Sequence, residues 1–207
     1  MAETQRIPFG PADIIVGTGN DAVRFDGKIG VEGSQAQSEG GSINIESTFA
    51  DITSVDFGES PIDKFGTGTT VTVTISALYE EIDTLKLAIG NAVEISNGSD
   101  GSVTGVADAP IGQSSAERGV PVRIHPRNVP HGKYDYTIYN MASTESFERS
   151  FGLEQSSIEI NFEAFPRKGA DASKAGNFFY TGEVDPNGLN LDFGMSYEND
   201  GGEGSEV

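Results

Sequence analysis

The residues able to do chemistry in this 207-residue chain are thirty-two carboxylates and two histidines, with no cysteine and no tryptophan among them. The stretch Ile14-Ile15-Val16-Gly17-Thr18-Gly19-Asn20-Asp21-Ala22 is spaced like a dinucleotide fingerprint with Ala in the third glycine place. That motif works when the glycines open a helix whose N-terminal amides meet a pyrophosphate. Here Val23-Arg24-Phe25-Asp26-Gly27 follows, a strand and then a turn, so a hairpin is expected instead. Asn97-Gly98-Ser99-Asp100-Gly101 has the flavour of a calcium loop but lacks the leading carboxylate and the closing bidentate Glu, so it reads as a turn. As a glycosylation acceptor, Asn97-Gly98-Ser99 lacks a supporting export signal. His125 and His131 have no helical metal spacing, and each adjoins a proline. A nucleophile triad needs one of them oriented by a carboxylate, and nothing local supplies it, so both are expected to be structural. Paired carboxylates across a cleft would suit glycoside hydrolysis, yet carboxylates this numerous more often form a solvated face. No catalytic residue, metal site or cofactor is expected.

Composition narrows the classes further. Thirty-two acidic against thirteen basic residues leave a formal charge of -19. This excludes binding a nucleic-acid backbone through a basic surface and argues against docking on anionic lipid. The absence of cysteine excludes disulfides and thiolate chemistry. Met1 to Gln5 lacks a basic-then-apolar leader, and no apolar run reaches a membrane span, so synthesis in the cytoplasm without membrane insertion is expected.

The elements that must position these groups are mostly strands. Val71, Val73 and Ile75 alternate with Thr70, Thr72, Thr74 and Ser76, a clear period of two. The same alternation marks Ile43 to Glu46, Val120 to His125, Tyr134 to Tyr139 and Ile158 to Glu163, with shorter candidates at 14–16, 23–25, 92–95 and 178–181. Leu78, Ile82, Leu85 and Ile89 instead fall at helical spacing, with Ser76 as candidate N-cap and Gly90 as stop. The segments 30–41, 61–68, 107–119 and 166–176 read as loops. The predicted fold is therefore all-β, a sandwich or barrel of two antiparallel sheets, with one flanking helix near 77–89. Residues 1–185 form the domain, including an N-terminal arm, and 186–207 a short arm or acidic flexible tail.

Two blocks carry a resemblance. The first holds Arg24-Phe25-Asp26-Gly27, Ile43-Asn44-Ile45-Glu46, Pro61-Ile62-Asp63-Lys64, the ladder Gly68 to Ile75, and Leu85-Lys86-Leu87-Ala88-Ile89-Gly90. The second holds Val122-Arg123-Ile124-His125-Pro126, Tyr134 to Tyr139, and Ile158 to Pro166. In this order they resemble the major tail tube proteins of long-tailed bacteriophages, over most of residues 12–185. The resemblance implies a β-sandwich with a flanking helix, a fold shared with the type VI secretion tube. It implies homo-hexameric rings whose sheets join into a barrel around a channel, stacked into a tube of the virion tail. The tape-measure protein fills that channel before DNA crosses it on ejection, and terminator and baseplate proteins meet the tube ends.

Physical arguments run the same way. Open β edges invite pairing, and ring closure removes them. Head-to-tail contacts close into rings or propagate into filaments. A wall rich in carboxylates repels duplex DNA, which carries one charge per roughly 1.7 Å, so DNA passes without specific binding. The expected lumen-lining acids are Glu39, Glu46, Asp51 and Asp56. Inter-ring contacts are expected at Phe9, Pro61, Ile62, Asp63, Lys64 and Phe65, and an inter-subunit basic patch at Arg167, Lys168 and Lys174. The competing expectations are another virion sandwich (tail terminator or head decoration) and a ligand- or carbohydrate-binding sandwich. Against the latter stand the missing tryptophan, calcium cluster and export signal.

Overall fold

The computed structural model describes residues 10–153 and 156–194. The chain is all-β, with a large antiparallel sheet, a small one and short helices. The strands are β1 (Ala12–Val16), β2 (Val23–Phe25), β3 (Ser42–Thr53), β4 (Pro61–Ala77), β5 (Ala92–Ser96), β6 (Val103–Asp108), β7 (Val120–Pro126), β8 (Tyr136–Ser143), β9 (Ile158–Ala164) and β10 (Phe179–Thr181). The large sheet runs β2-β1-β7-β8-β9-β4-β3, with β10 also on β8, and β5 and β6 form a separate hairpin.

The large sheet curls until its hydrogen-bond path returns to its start. Residues 34–38 bridge the gap between β2 and β4. On one side Arg24 N donates to Gly33 O at 2.8 Å and Gln35 N donates to Arg24 O at 2.6 Å. On the other, Leu78 N donates to Ala36 O and Ser38 N donates to Ser76 O, both at 2.9 Å. Gln37 pins the bridge, its Nε2 donating to Ala12 O at 2.8 Å and Phe25 O at 2.6 Å. A closed path leaves few unpaired backbone groups to invite misassociation. Inside it, the alternating residues of the strands interdigitate: Ile14, Val16, Phe25, Val71, Val73, Ile75, Val122, Ile138, Met141 and Ile160 are all buried. Each such side chain contributes about 1.5–3 kcal/mol by leaving water.

The helical stripe forms α1 (Ile82–Ala88) beside this barrel, with Leu85, Leu87 and Ala88 packed on the core. It is shorter than the expected 77–89 because β4 continues through Ser76 and Ala77, which pair with Glu159 and Ile158. Glu81, not Ser76, is the N-cap residue, and the helix ends at Ile89. A further single turn, α2 (Ser115–Arg118), interrupts the expected loop 107–119, whose first two residues end strand β6. The fingerprint-like segment is a hairpin, as expected: β1 runs into a 3-10 turn at Gly19–Asp21 and returns as β2, with Ile14 opposite Phe25. Gly17 sits at φ +90° to make that turn.

Pro61 to Gly68, expected as a loop, is the first half of β4. Pro61, Gly66 and Gly68 weaken the strand signal locally, but six residues of β3, Thr48 to Thr53, pair along this segment and override it. Residues 186–194 are not a detached tail. Phe193 packs with Ile15 and Ala22, Gly19 N donates to Asp192 O at 2.9 Å, and Arg24 donates to Phe193 O at 3.2 Å. The tail from 195 onward, like the N-terminal arm, lies outside the described residues.

Candidate functional site

β3 and β4 continue well past the barrel. β9 covers β4 only at Thr72–Ala77, so Pro61–Thr70 pair with β3 alone. The free ribbon is about 30 Å long at roughly 3.3 Å per residue. Among the described residues, β3 ends the strand order and pairs only with β4, which leaves its second edge open. The two strands join through a 3-10 turn at Val55–Phe57.

The register sorts the ribbon into two faces, because directly opposed residues point the same way. Ile43, Ile45, Ser47 and Phe49 lie with Val73, Val71, Thr69 and Gly66 on the face continuous with the core. Asn44, Glu46 and Thr48 lie with Thr72, Thr70 and Gly68 on the outer face. A bulge falls on the β4 side, between Gly68 and Gly66, so β3 keeps its alternation. Beyond the bulge, Ala50 and Ile52 share the outer face with Phe65 and Asp63. Phe49, Ile52, Val55, Phe57, Ile62 and Phe65 are all exposed.

This register corrects part of the expected acidic row. Glu46 stands with Thr70 on the outer, hydroxyl-rich face, on the side opposite Ile43 and Ile45. Asp51 is on the opposite face and pairs with Lys64 at 3.0 Å. Asp56 caps the ribbon in its terminal turn, and Glu39 lies in the exposed turn before β3. The four do not form one wall. The outer face instead continues onto β9, where Glu163 opposes Thr72, Asn161 opposes Thr74 and Glu159 opposes Ser76. Thr74 Oγ1 donates to Asn161 Oδ1 at 2.8 Å, and Thr144 Oγ1 donates to Glu163 Oε2 at 3.0 Å. Glu159 and Glu163 thus share a face with Glu46. Their alternation with Ile158, Ile160 and Phe162 was a readable signal, but which strand neighbours β4 was not.

Of the expected contact residues, Pro61, Ile62, Asp63, Lys64 and Phe65 are brought together, all exposed on the free half of β4. Phe9 lies outside the described residues. The basic loop divides. Arg167 is turned inward, donating to Gly176 O at 3.3 Å, Gly169 O at 3.1 Å and Asn187 Oδ1 at 2.8 Å. Lys168 and Lys174 stay exposed, Lys174 at 3.6 Å from Asp171. Side-chain and backbone hydrogen bonds from Ser173 hold the Asp171 carboxyl below its ordinary range. A groove of about 680 Å³ runs between this loop and the root of the ribbon, lined by Phe49, Gly66, Pro166, Ala170, Ala172 and Phe178 among others.

One polar cluster escaped the sequence reading. Asp135 is fully buried and bonds Arg123 through Nε and Nη2, each at 2.8 Å, and His125 Nδ1 at 2.7 Å. A carboxylate therefore does orient His125, although nothing adjacent in sequence supplies it. With a guanidinium on the same carboxylate and the histidine itself buried, the arrangement ties β7 to the turn before β8. His131 is at the surface, its Nδ1 accepting from Lys133 N at 3.4 Å.

No metal-holding group of three or more His, Cys, Asp or Glu occurs among the described residues, and none of their helices is long and apolar enough to cross a membrane. No protein-family model matches the chain, and no curated protein is significantly similar to it.

Proposed function

We propose that this chain is a structural, non-enzymatic tube subunit that assembles with copies of itself, in the manner of the phage tail tube proteins it resembles. The observation that carries this reading is the free ribbon with its unpaired edge. A two-stranded hairpin is at best marginal in water, and natural proteins seldom leave a long apolar edge strand open. Here the β3–β4 ribbon is long, bears exposed Phe49, Ile52, Val55, Phe57, Ile62 and Phe65, and lacks a covering element among the described residues. A neighbouring copy supplies the missing strands. The barrel end of the chain is already closed on itself, so growth is directed through the ribbon. Ribbons joined side by side make a wall, and six of them around an axis make a ring.

The wall surface that suits a DNA channel is the outer face of β3, β4 and β9. It combines Thr70, Thr72, Thr74 and Asn44 with Glu46, Glu159 and Glu163. Hydroxyls keep it wetted, and carboxylates repel phosphate. On this reading the finished tube stands in the virion, bounded by terminator and baseplate proteins and first filled by tape-measure protein.

Negative-stain electron microscopy over a concentration series tests the reading. Hollow six-fold rings or open tubes are the expected result. Particles that stay compact and monodisperse, both alone and when mixed with tail-initiation complexes, would sink it. Within tubes, Glu46→Lys is expected to leave the architecture intact and lower DNA delivery. Normal delivery would remove Glu46 from the channel wall.

A further inference from the structure

We propose that the tip of the ribbon of one copy seats in the groove at the root of the ribbon of the next. The inference rests on the self-assembly reading above but not on the identity of the tube.

The tip is built to present apolar side chains. Val55 is 99% exposed and Phe57 69%, on a turn that is held in shape. Ser54 Oγ accepts from Asp56 N at 3.3 Å, Phe57 N donates to Ser54 O at 3.1 Å, and Gly58 at φ +67° turns the chain back. Rigid exposed apolar groups cost little entropy on burial, which is what a docking knob needs. Beside them stand the carboxylates of Asp56 and Glu59.

The groove has the complementary make-up. Phe49, Phe178, Pro166, Ala170 and Ala172 line it, and Gly66 and Gly68 leave backbone bare at its floor. Its volume of about 680 Å³ is ample for one aromatic and one aliphatic side chain. One wall is the 166–178 loop, kept rigid by Arg167 and by Asn177, whose Nδ2 donates to Asp171 O at 2.8 Å and Lys174 O at 2.9 Å. Lys168 is exposed on that loop, and Lys174 is exposed beside Asp171 at 3.6 Å, so the Lys168 cation faces the acids of an incoming tip. In a chain with thirteen basic residues against thirty-two acidic ones, the cation of Lys168 on the groove's wall loop complements an acidic, apolar tip.

A copy cannot fill its own groove. Phe49 and Val55 are six residues apart along an extended strand, about 20 Å. The contact is therefore heterologous: each copy offers one tip and one groove, and the chain of contacts closes into a ring or continues as a filament.

The chain has no cysteine, so engineered pairs report the contact directly. Val55→Cys is mixed with a tagged Ala170→Cys variant under mild oxidant, with Ile111→Cys as the partner in a control. Both test positions are exposed, so folding is unaffected. The expected result is a mixed disulfide between the two variants in at least five-fold excess over the control pair. Lys168→Glu in the groove partner lowers that yield several-fold, and Asp56→Lys in the tip partner restores it. A yield equal to the control overturns the proposal. Rings by microscopy without the disulfide refute this contact and leave the tube reading standing. The disulfide with no ring or tube under any condition supports the contact and refutes the tube reading.

Discussion

Removing the Asp135 carboxylate tests whether the buried polar cluster is a stability element of the barrel. Asp135 is 0% exposed and Arg123 has 13% of its side chain exposed, so both charges sit largely outside water. Their two N–O contacts are 2.8 Å, His125 adds a third at 2.7 Å, and the Asp135 backbone bonds Gly132 O and Gly182 N at 3.0 Å each. Asp135→Ala leaves the guanidinium desolvated without this counterion, a change that costs about 3–5 kcal/mol when a buried pair is broken from one side. Asp135→Asn keeps one acceptor oxygen and should lose about 2 kcal/mol. At this chain length each kcal/mol moves the midpoint by roughly 2–4 °C, so Asp135→Ala is expected to melt about 6–20 °C lower. Urea denaturation at pH 7.5 followed by circular dichroism measures the loss, because the chain has no tryptophan to report it. The parent should carry Phe57→Glu, which on the proposed docking removes assembly and any contribution of assembly to apparent stability. Raising salt from 0.1 to 1 M should not shrink the difference, since buried pairs are poorly screened. A loss below about 1 kcal/mol, the worth of an exposed pair, would refute the reasoning.

Tyr139 sets an alkaline limit. Burial, and then the hydrogen bond its hydroxyl donates to Asp185 at 2.6 Å, push its ionisation above the ordinary value of 10. The unfolded chain thus loses this proton first. Stability is full below pH 10 and falls by up to about 1.4 kcal/mol per unit as pH rises through 10 toward the folded value. Urea titrations at pH 9, 10 and 11 should show the slope, and Tyr139→Phe should remove it while costing about 1–2 kcal/mol at neutral pH. An unchanged slope in that variant would assign the alkaline loss elsewhere. Gly90→Ala should be severe for an apparently mild change. The added Cβ meets Ser143 O at 2.0 Å and Ser143 C at 2.8 Å, both backbone atoms where α1 docks on the end of β8. A loss of about 2 kcal/mol or more is expected from this overpacking. A melting curve within 2 °C of the parent would contradict the close approach.

Side-chain alternation is enough to dictate the class of fold and most of its strands, because a half-buried strand must alternate with period two. Val71, Val73 and Ile75 had to share a face whatever they packed against. It also determined that the Gly17–Ala22 segment turns back as a hairpin, since a strand pattern and not a helix follows it. The face of Asp51 was equally legible: it is separated from Ile45 by an even number of residues, which already puts it with Ile45 and away from Glu46. The remaining features come from which segments meet in the folded chain. Closure of the barrel by residues 34–38 is made of backbone hydrogen bonds, which leave no periodic trace in side-chain types. The strand at Pro61–Gly68 exists because β3 pairs with it, and pairing between segments is invisible to local propensity. The junction of Glu46 with Glu159 and Glu163 depends on β9 lying beside β4, and that of Asp135 with Arg123 and His125 depends on β7 lying beside the turn before β8. Both are choices of neighbour, set by how the whole core packs and not by any one stretch of chain.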